Sequence, residues 1–239
     1  MDQTKEWENF WNAFRVKNVE SEDDLFFQVG KTINKKPIDK EVFHSLTKNL
    51  VEQLSLNKND LIVELCCGNG LCTYELKDYV KQIISVDFAI HLIEAAKKFK
   101  SAPNITYCQG NVFDFLKNFK SDFKVVPAKY LMNDSIMYFN PEDLKKILTY
   151  ILDISNDGFT FLITGAPNDL LKWNFYNTEE RKTKYLEGVA SGDYTNDGIG
   201  RWWTAKEIED LCSSLNLKCS IRNQPEAISN YRMNIVISK

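Results

Sequence analysis

The sequence predicts an α/β fold, with a mostly parallel β-sheet at its centre and helices on both faces of that sheet. Short apolar segments typical of buried strands alternate with longer segments whose apolar residues recur at three- or four-residue intervals, as in amphipathic helices. A strand at residues 61–65 leads into a turn that contains two glycines, and a helical pattern follows directly. The last two strands, 218–223 and 233–238, are joined only by residues 224–232. Because parallel strands need a long crossover, this short connection predicts an antiparallel closing hairpin.

The first 57 residues are predicted to form a helical cap or lid on a main domain that comprises residues 58–239. Residues 4–15 have the spacing of an amphipathic helix, whose aromatic face consists of Trp7, Phe10, Trp11 and Phe14. Packing on the main domain and forming one wall of a substrate site both explain this face, and the two are compatible. A second helix is predicted from Pro37 to about Leu54, because proline is favoured at the first helical position.

The first strand of the main domain carries a carboxylate and ends at the glycine turn. Glu64 lies within the apolar strand, and it requires polar partners because burying an unpaired charge is costly. Gly68 and Gly70 allow backbone conformations and close ligand approaches that a Cβ would prevent. Thr73 stands where the dinucleotide-binding fingerprint has its third glycine. The helix behind the turn is predicted at residues 71–81.

Polar residues also follow the next two predicted strands. Strand two, at residues 83–86, ends in Asp87, and an acid at this position can accept hydrogen bonds from both hydroxyls of a ribose. A helix at 89–99 leads to strand three, at residues 105–110, which Asn111 follows. Ligands of open α/β sheets bind over the carboxyl ends of the strands, so these side chains are predicted to share one site.

Glu64-Leu-Cys-Cys-Gly68-Asn-Gly70, Asp87 and Asn111, in this order and spacing, resemble the class I S-adenosylmethionine (SAM)-dependent methyltransferases over about residues 59–112. The resemblance implies a Rossmann-like, seven-stranded sheet whose last strand is antiparallel. It also implies SAM as the cofactor and S-adenosylhomocysteine (SAH) as its product. In that family, the acidic strand and glycine turn hold the methionine part, the acid after strand two holds the ribose, and an Asp or Asn after strand three faces the adenine. The residues assigned to cofactor binding on this basis are Glu64, Cys66, Gly68, Gly70, Asp87, Phe88, Asn111, Val112, Ala128 and Lys129.

Strand four has two possible positions. The stretch 121–126 is favoured, with the strand following Asp122, because members of the family often carry an Asp just before this strand. Pro127 cannot donate to a ladder and would end the strand. The alternative places strand four at residues 129–132. A helix that begins at Pro141 and a fifth strand at 159–165 follow.

Residues behind strand four are the candidates for catalysis. Asp134 is predicted to be a general base or an acid that orients the acceptor, and Tyr138 is a second candidate. The alternative for Asp134 is a cap on a short turn that starts near Ile136. Residues 1–36 and 168–203 are predicted to roof the acceptor site, with aromatic side chains to cover it and cations to bind a phosphate or carboxylate. The predicted acceptor contacts are Gln28, Lys31, Trp173, Tyr176, Arg181, Arg201, Trp203 and Arg232.

Composition narrows the classes of partner. The formal net charge of -3 disfavours non-specific binding to nucleic acid or to an anionic membrane. Six cysteines without a Cys-x-x-Cys pair, and only two histidines, predict neither a metal site nor disulfides. No apolar run has the length of a membrane span and no signal-peptide core is visible, so a cytoplasmic monomer or homodimer is expected.

The sequence therefore predicts a SAM-dependent methyltransferase that acts on an oxygen of a small polar or phosphorylated metabolite. A looser resemblance at residues 202–209, Gln224-Pro225 and Tyr231-Arg232 is to methyltransferases of bacterial sugar and surface-polysaccharide pathways, and it implies an acceptor of that kind. Three alternatives stay open. One is an NAD-dependent oxidoreductase, which Thr73 and Glu64 disfavour, and another is a non-catalytic protein that retains the SAM-binding fold. The third is a nucleic-acid methyltransferase, although residues 126–129 lack the Pro-Pro-Tyr motif of the amino-methylating type.

Overall fold

The structure, a computed structural model, describes residues 3–13, 19–33, 35–155, 158–192 and 198–239. In these ranges the strands are β1 (Thr32–Ile33), β2 (Lys36–Pro37), β3 (Leu61–Leu65), β4 (Gln82–Asp87), β5 (Ile105–Gln109), β6 (Lys129–Asn133), β7 (Thr160–Pro167), β8 (Lys218–Asn223) and β9 (Arg232–Ser238). The α-helices are α1 (Gln3–Ala13), α2 (Glu22–Gln28), α3 (Lys40–Leu54), α4 (Leu71–Leu76), α5 (Ile90–Phe99), α6 (Val112–Asp122), α7 (Pro141–Ile154), α8 (Lys172–Phe175), α9 (Glu179–Ser191) and α10 (Ala205–Ser214).

Across the described ranges, seven strands form the central sheet, in the order β5-β4-β3-β6-β7-β9-β8. The first five strands in this order, β5, β4, β3, β6 and β7, are parallel to one another, whereas β9 runs antiparallel to both β7 and β8. This arrangement confirms the predicted Rossmann-like architecture and its closing hairpin. The chain order of the strands reverses between β3 and β6, and the ends of strands on either side of such a reversal form a ligand-binding crevice.

Helices cover both faces of the sheet. On one face, Leu50 and Leu54 of α3 pack with Ile62 and Leu162 of the strands. On the other face, α6, α7 and α10 pack on the sheet in the largest apolar cluster of the described residues. A parallel sheet that is buried on both faces requires strands that are apolar along their length, which explains the apolar runs of β3, β4 and β6. None of the helices in the described ranges combines the length and the apolar composition that a bilayer crossing requires.

The favoured position of strand four, within residues 121–126, is wrong, and the strand is β6 at Lys129–Asn133. The reason is burial: Val126 is 67% exposed, whereas Tyr130 and the two residues after it are fully buried. Pro127 precedes the strand rather than ending it, so its missing N–H costs no ladder hydrogen bond. Ala128 and Lys129 consequently lie at the start of β6. Their predicted place over the carboxyl ends of the strands, and with it their part in cofactor binding, is wrong.

Two helix boundaries also differ from the prediction. The helix expected from Pro37 begins at Lys40, because Asp39 caps it by accepting hydrogen bonds from the next backbone N–H groups, and Pro37 instead pairs with Thr32 in a two-stranded ribbon. The helix behind the glycine turn ends at Leu76 rather than at residue 81. Helix α3, which precedes the predicted domain boundary at residue 57, packs directly on the sheet of the main domain. The boundary itself stays a prediction.

Candidate active site

A cavity of about 910 Å³ lies over the carboxyl ends of β3, β4 and β6. Glu64, Asp87 and Asn111 line one end, which we call the cofactor end. Lys31 and Asp134 line the other, which we call the acceptor end. The volume lies in the range that small-molecule sites usually occupy. The structure thus brings together side chains that the sequence places on separate strands.

Glu64 is buried at the floor of the cofactor end and is hydrogen-bonded there by two hydroxyls. Its carboxylate accepts hydrogen bonds from Thr73 Oγ1 at 2.5 Å and from Ser85 Oγ at 3.2 Å. Ser85 is its neighbour in the parallel register of β3 and β4. Burial nevertheless raises the pKa of Glu64 to about 7, because the two hydroxyls offset only part of the desolvation of the charge.

The glycine turn has no room for side chains at Gly70. This residue takes a φ of 76°, and a Cβ there would lie 2.5 Å from the Tyr107 hydroxyl. Gly68 also has a positive φ, and its N–H points at Asp87. Cys66 shares the left-handed conformation with a φ of 58°, although its Cβ makes this conformation unfavourable. Burial raises the pKa of the Cys66 thiol, so it lines the cavity as a neutral group.

Asp87 accepts one backbone hydrogen bond on each carboxylate oxygen. Oδ2 accepts from Gly68 N and Oδ1 from Ala89 N, both at 2.9 Å. A carboxylate has about four acceptor positions, so two more bonds can form, one on each oxygen. Burial raises the pKa of Asp87 to about 6 against the opposing effect of these backbone donors. Asp87 therefore lies at the cofactor end with acceptor positions that these two backbone donors leave open, and its role in holding the ribose stays a prediction.

Asn111 begins the helix that follows β5. Its Oδ1 caps α6 by accepting from Phe113 N at 2.9 Å, and Val112 is the first residue of the helix. Asn111, Val112 and Phe88 all line the cofactor end. The cap holds Asn111 at the start of α6, at the edge of the cavity.

Asp134, at the acceptor end, forms ion pairs with Lys31 and with Arg232. Arg232 Nη1 lies 3.1 Å from Asp134 Oδ1 and also donates to the carbonyl oxygen of Gly165 at 2.9 Å. Asp134 takes a φ of 52°, and a Cβ on Gly165 would lie 1.7 Å from its Oδ1. Burial alone would raise the pKa of Asp134, but Lys31 and Arg232 outweigh it and hold the pKa below its ordinary value. Asp134 is therefore ionised at neutral pH.

Aromatic rings of α1 cover Tyr138 at the acceptor end. The ring of Tyr138 lies 4.6 Å from that of Trp7 and 5.9 Å from that of Trp11, between centroids. Trp7 is 2% exposed although it lies on the surface helix. Burial raises the pKa of Tyr138, so its hydroxyl keeps its proton at neutral pH. The aromatic face predicted for this helix therefore lines the cavity, and Phe14 lies outside the described residues.

Gln28 contacts the glycine turn, which the sequence did not indicate. Asn69 Nδ2, in the turn, donates to the carbonyl oxygen of Leu25 at 2.8 Å and to Gln28 Oε1 at 2.9 Å. Gln28 and Asn69 are both buried, and Gln28 is absent from the described lining of the cavity. The predicted contact of Gln28 with the acceptor is therefore wrong, because its amide holds α2 on the turn.

The segment 168–203 contributes less to the cavity than predicted. Of its described residues, Gly198 and Ile199 line the cavity. Trp203 is fully buried in the core, where its Nε1 donates to the carbonyl oxygen of Ile136 at 3.2 Å. The other four predicted contacts form an outer aromatic cluster, bond to backbone or pair with Glu207. The predicted acceptor contacts that lie away from the cavity are Trp173, Tyr176, Arg181, Arg201 and Trp203.

Comparison with known proteins agrees with the geometry of the cofactor end. Residues 62–158 match a family model described as "Methyltransferase domain". The chain is 31% identical over 96 residues to a 23S rRNA (uracil(1939)-C(5))-methyltransferase, RlmD, of Francisella tularensis, a match that covers 39% of this chain. The match spans about a fifth, 19%, of that relative's length. A probable cobalt-precorrin-6B C(15)-methyltransferase (decarboxylating) of Methanococcus vannielii is 24% identical over 123 residues, which cover 50% of this chain and 67% of that one.

The fold is similar over nearly the whole chain to a solved structure of a methyltransferase. Magnesium protoporphyrin IX methyltransferase of Synechocystis PCC 6803, crystallised with bound SAH, superposes with a TM-score of 0.60 and covers 99% of each chain. The sequence identity is 11%, so this likeness concerns the fold alone. The predicted family and its cofactor agree with these matches. The match over residues 62–158 thus supports the predicted resemblance of this part of the chain to the class I SAM-dependent methyltransferases.

Proposed function

We propose that this protein binds SAM and transfers its methyl group to an oxygen of a small polar acceptor. The observation that carries the proposal is the shared cavity, which joins the cofactor end to a cluster of Lys31, Asp134 and Arg232. Methyl transfer requires both ligands in one water-poor space, with the acceptor atom aligned on the methyl carbon. The cavity meets this requirement by its continuity and by the aromatic cover over its acceptor end.

The residues of the cofactor end fit SAM. Asp87 would hold the ribose through its two remaining acceptor positions, and the turn from Gly68 to Gly70 would admit the methionine part where a Cβ would collide. Phe88 and Asn111 would face the adenine. SAM would supply a methyl group that its sulfonium already activates. The protein then has to orient the two ligands and exclude water.

The nature of the acceptor is inferred from the other end. Lys31 and Arg232 favour a polar or phosphorylated metabolite, and the looser sequence resemblance supports a sugar or surface-polysaccharide precursor. A small acceptor is favoured over nucleic acid because Trp7 and Trp11 pack on Tyr138 at the acceptor end and the net charge of the chain is -3. The cytoplasmic location and the monomeric or dimeric state predicted from the sequence are part of this proposal.

Calorimetry with SAM, SAH and NAD tests the proposal. We expect micromolar or tighter binding of SAM and SAH and no binding of NAD. Binding of NAD without binding of SAM would overturn the proposal in favour of an oxidoreductase. Binding of SAM by a protein that transfers no methyl group to an extract of small metabolites would instead favour the non-catalytic alternative.

A further inference from the structure

We propose that the methyl-accepting atom is an oxygen that is already ionised, in a carboxylate or a phosphate, and that Lys31 and Arg232 bind this oxyanion without the help of a general base. The inference rests on the proposed function and goes further, because it names the chemical state of the acceptor. It also replaces the role of general base predicted for Asp134 with that of a counter-ion that holds two cations.

The charges at the acceptor end favour an anion. Lys31 and Arg232 both converge on one carboxylate, that of Asp134, so the cluster has an excess of one positive charge. In the described part of the chain, Asp134 is the one polar partner of the Lys31 ammonium, which has three N–H donors. Glu226 also lines this end, but it is exposed, and solvent screens its charge. An acceptor oxyanion can therefore bind Lys31 in addition to Asp134.

Described residues of the acceptor end offer no effective base for an alcohol. Asp134 is engaged by two cations, which stabilise the ionised form and make it a weak proton acceptor. Tyr138 keeps its proton because burial raises its pKa. The histidines of the chain, His44 and His91, lie outside the described lining of the cavity, and His44 pairs with Glu75.

The carboxylates of the cofactor end are also engaged. Thr73 and Ser85 donate to Glu64, and the backbone N–H groups of Gly68 and Ala89 donate to Asp87. A hydroxyl acceptor would have to lose its proton as it attacks, and this proton needs a positioned base. An oxyanion acceptor needs none.

The chemical step balances without proton transfer. A lone pair of the acceptor oxygen attacks the methyl carbon, so that a C–O bond forms while the C–S bond breaks. The electron pair of the C–S bond stays on sulfur, which becomes the neutral thioether of SAH. The product is a methyl ester of the carboxylate or phosphate. One oxygen of either group can stay on Lys31 and Arg232 while another attacks, and the aromatic cover keeps competing water out.

Titration of the SAH-loaded protein with benzoate, inorganic phosphate and benzamide tests the inference. We expect at least one of the two anions to bind more tightly than benzamide, their neutral comparison, and the stronger anion identifies the class of acceptor. Lys31→Met should weaken anion binding at least tenfold, while Lys31→Arg should retain most of it. Lys36→Met is the matched control, because Lys36 is a nearby exposed lysine outside the cavity lining, and it should change nothing.

The outcomes separate this inference from the proposed function. If SAH fails to bind, the proposed function is wrong and the inference falls with it. If SAH binds but neither anion binds more tightly than benzamide, or if Lys31→Met leaves anion binding unchanged, only the inference is overturned. Mandelate and glycerol 3-phosphate, which carry a hydroxyl beside the oxyanion, add a chemical test. An ester product supports the inference, an ether product overturns it, and the titration decides if neither compound is methylated.

Discussion

The affinity for SAH should fall as the pH is lowered, because Asp87 must be ionised to accept two ribose hydroxyls. Burial raises the pKa of this carboxyl to about 6 in the protein without ligand. If only the ionised form binds, the dissociation constant should rise about tenfold between about pH 7 and about pH 5, since only about one molecule in ten is ionised at the lower pH. The sign follows from the charge: the proton competes with the ribose for the same oxygen lone pairs.

Replacement of the residue separates Asp87 from other titrating groups. In Asp87→Ala the dissociation constant at about pH 7 should rise tenfold or more, since a hydrogen bond to a charged group contributes about 1.5–3 kcal/mol. The dependence on pH attributable to Asp87 should vanish in the same variant. Asp114→Ala is the control, because Asp114 is an exposed carboxylate in the first turn of α6 that does not line the cavity.

Isothermal calorimetry of SAH at several pH values measures both effects. Glu64 also titrates in this region, so the same series is recorded for Glu64→Gln, in which the Asp87 component should persist. An SAH affinity that stays flat from about pH 5 to about pH 7 would refute the assignment of Asp87 to the ribose. The same holds for an Asp87→Ala variant that keeps both the affinity and the full pH dependence of the unmodified protein.

Three further predictions follow from the geometry of the site. Gly165→Ala should lower the melting temperature by more than Gly192→Ala. Both glycines have a φ near 70°, but only a Cβ at Gly165 would collide with Asp134 Oδ1. Equal falls in melting temperature, measured by calorimetry, would contradict this. Between about pH 6 and pH 8, the free energy of unfolding of the ligand-free protein should fall by about 1 kcal/mol more than that of Glu64→Gln. The pKa of Glu64 in the folded state is raised to about 7, so its contribution to stability is present below that pH and is lost above it. Parallel curves of unfolding free energy against pH, measured by denaturant titration, would argue against this. Deletion of residues 1–13 should leave the affinity for SAH within about threefold of that of the intact protein, because α1 covers only the acceptor end of the cavity. The same deletion should abolish anion binding by the SAH-loaded protein. Unchanged anion binding in a folded truncated protein would show that α1 is not a lid.

The cofactor end could be predicted from the sequence because its signals are local. Glu64 and the glycine turn lie within one strand–turn–helix unit, and Asp87 and Asn111 each follow an apolar strand directly. Parallel strands carry such end residues to one edge of the sheet by topology alone. The same logic fails at strand four, because Pro127 precedes the strand and does not end it. Composition could not decide between the two positions, because burial, which does decide it, depends on helices distant in sequence.

The contact between α2 and the glycine turn could not be predicted for a different reason. It depends on one buried amide, Asn69, that bonds to a backbone carbonyl and to Gln28, 44 and 41 residues away. Leu25 and Gln28, the two partners of Asn69, are common residue types, and neither belongs to a periodic pattern. The left-handed conformation of Cys66 is likewise invisible in the sequence, because cysteine rarely adopts it. Aspartate adopts this conformation more often, but its presence at position 134 does not by itself predict it.

The acceptor end shows why specificity for the acceptor is harder to predict from sequence than specificity for the cofactor. Asp134 meets Lys31 across 103 residues and Arg232 across 98 residues, so no local motif connects the three. What fixes their arrangement is a backbone constraint on a fourth residue: Gly165 must lack a side chain because Asp134 occupies the space where its Cβ would be. Gly165 lies within β7, but Lys31 and Asp134 lie on loops and Arg232 is the first residue of β9, where substitution disturbs the sheet least. The acceptor cluster can therefore change while the cofactor end and the fold stay the same, and for this reason the acceptor has to be inferred from charge and contact rather than from the family.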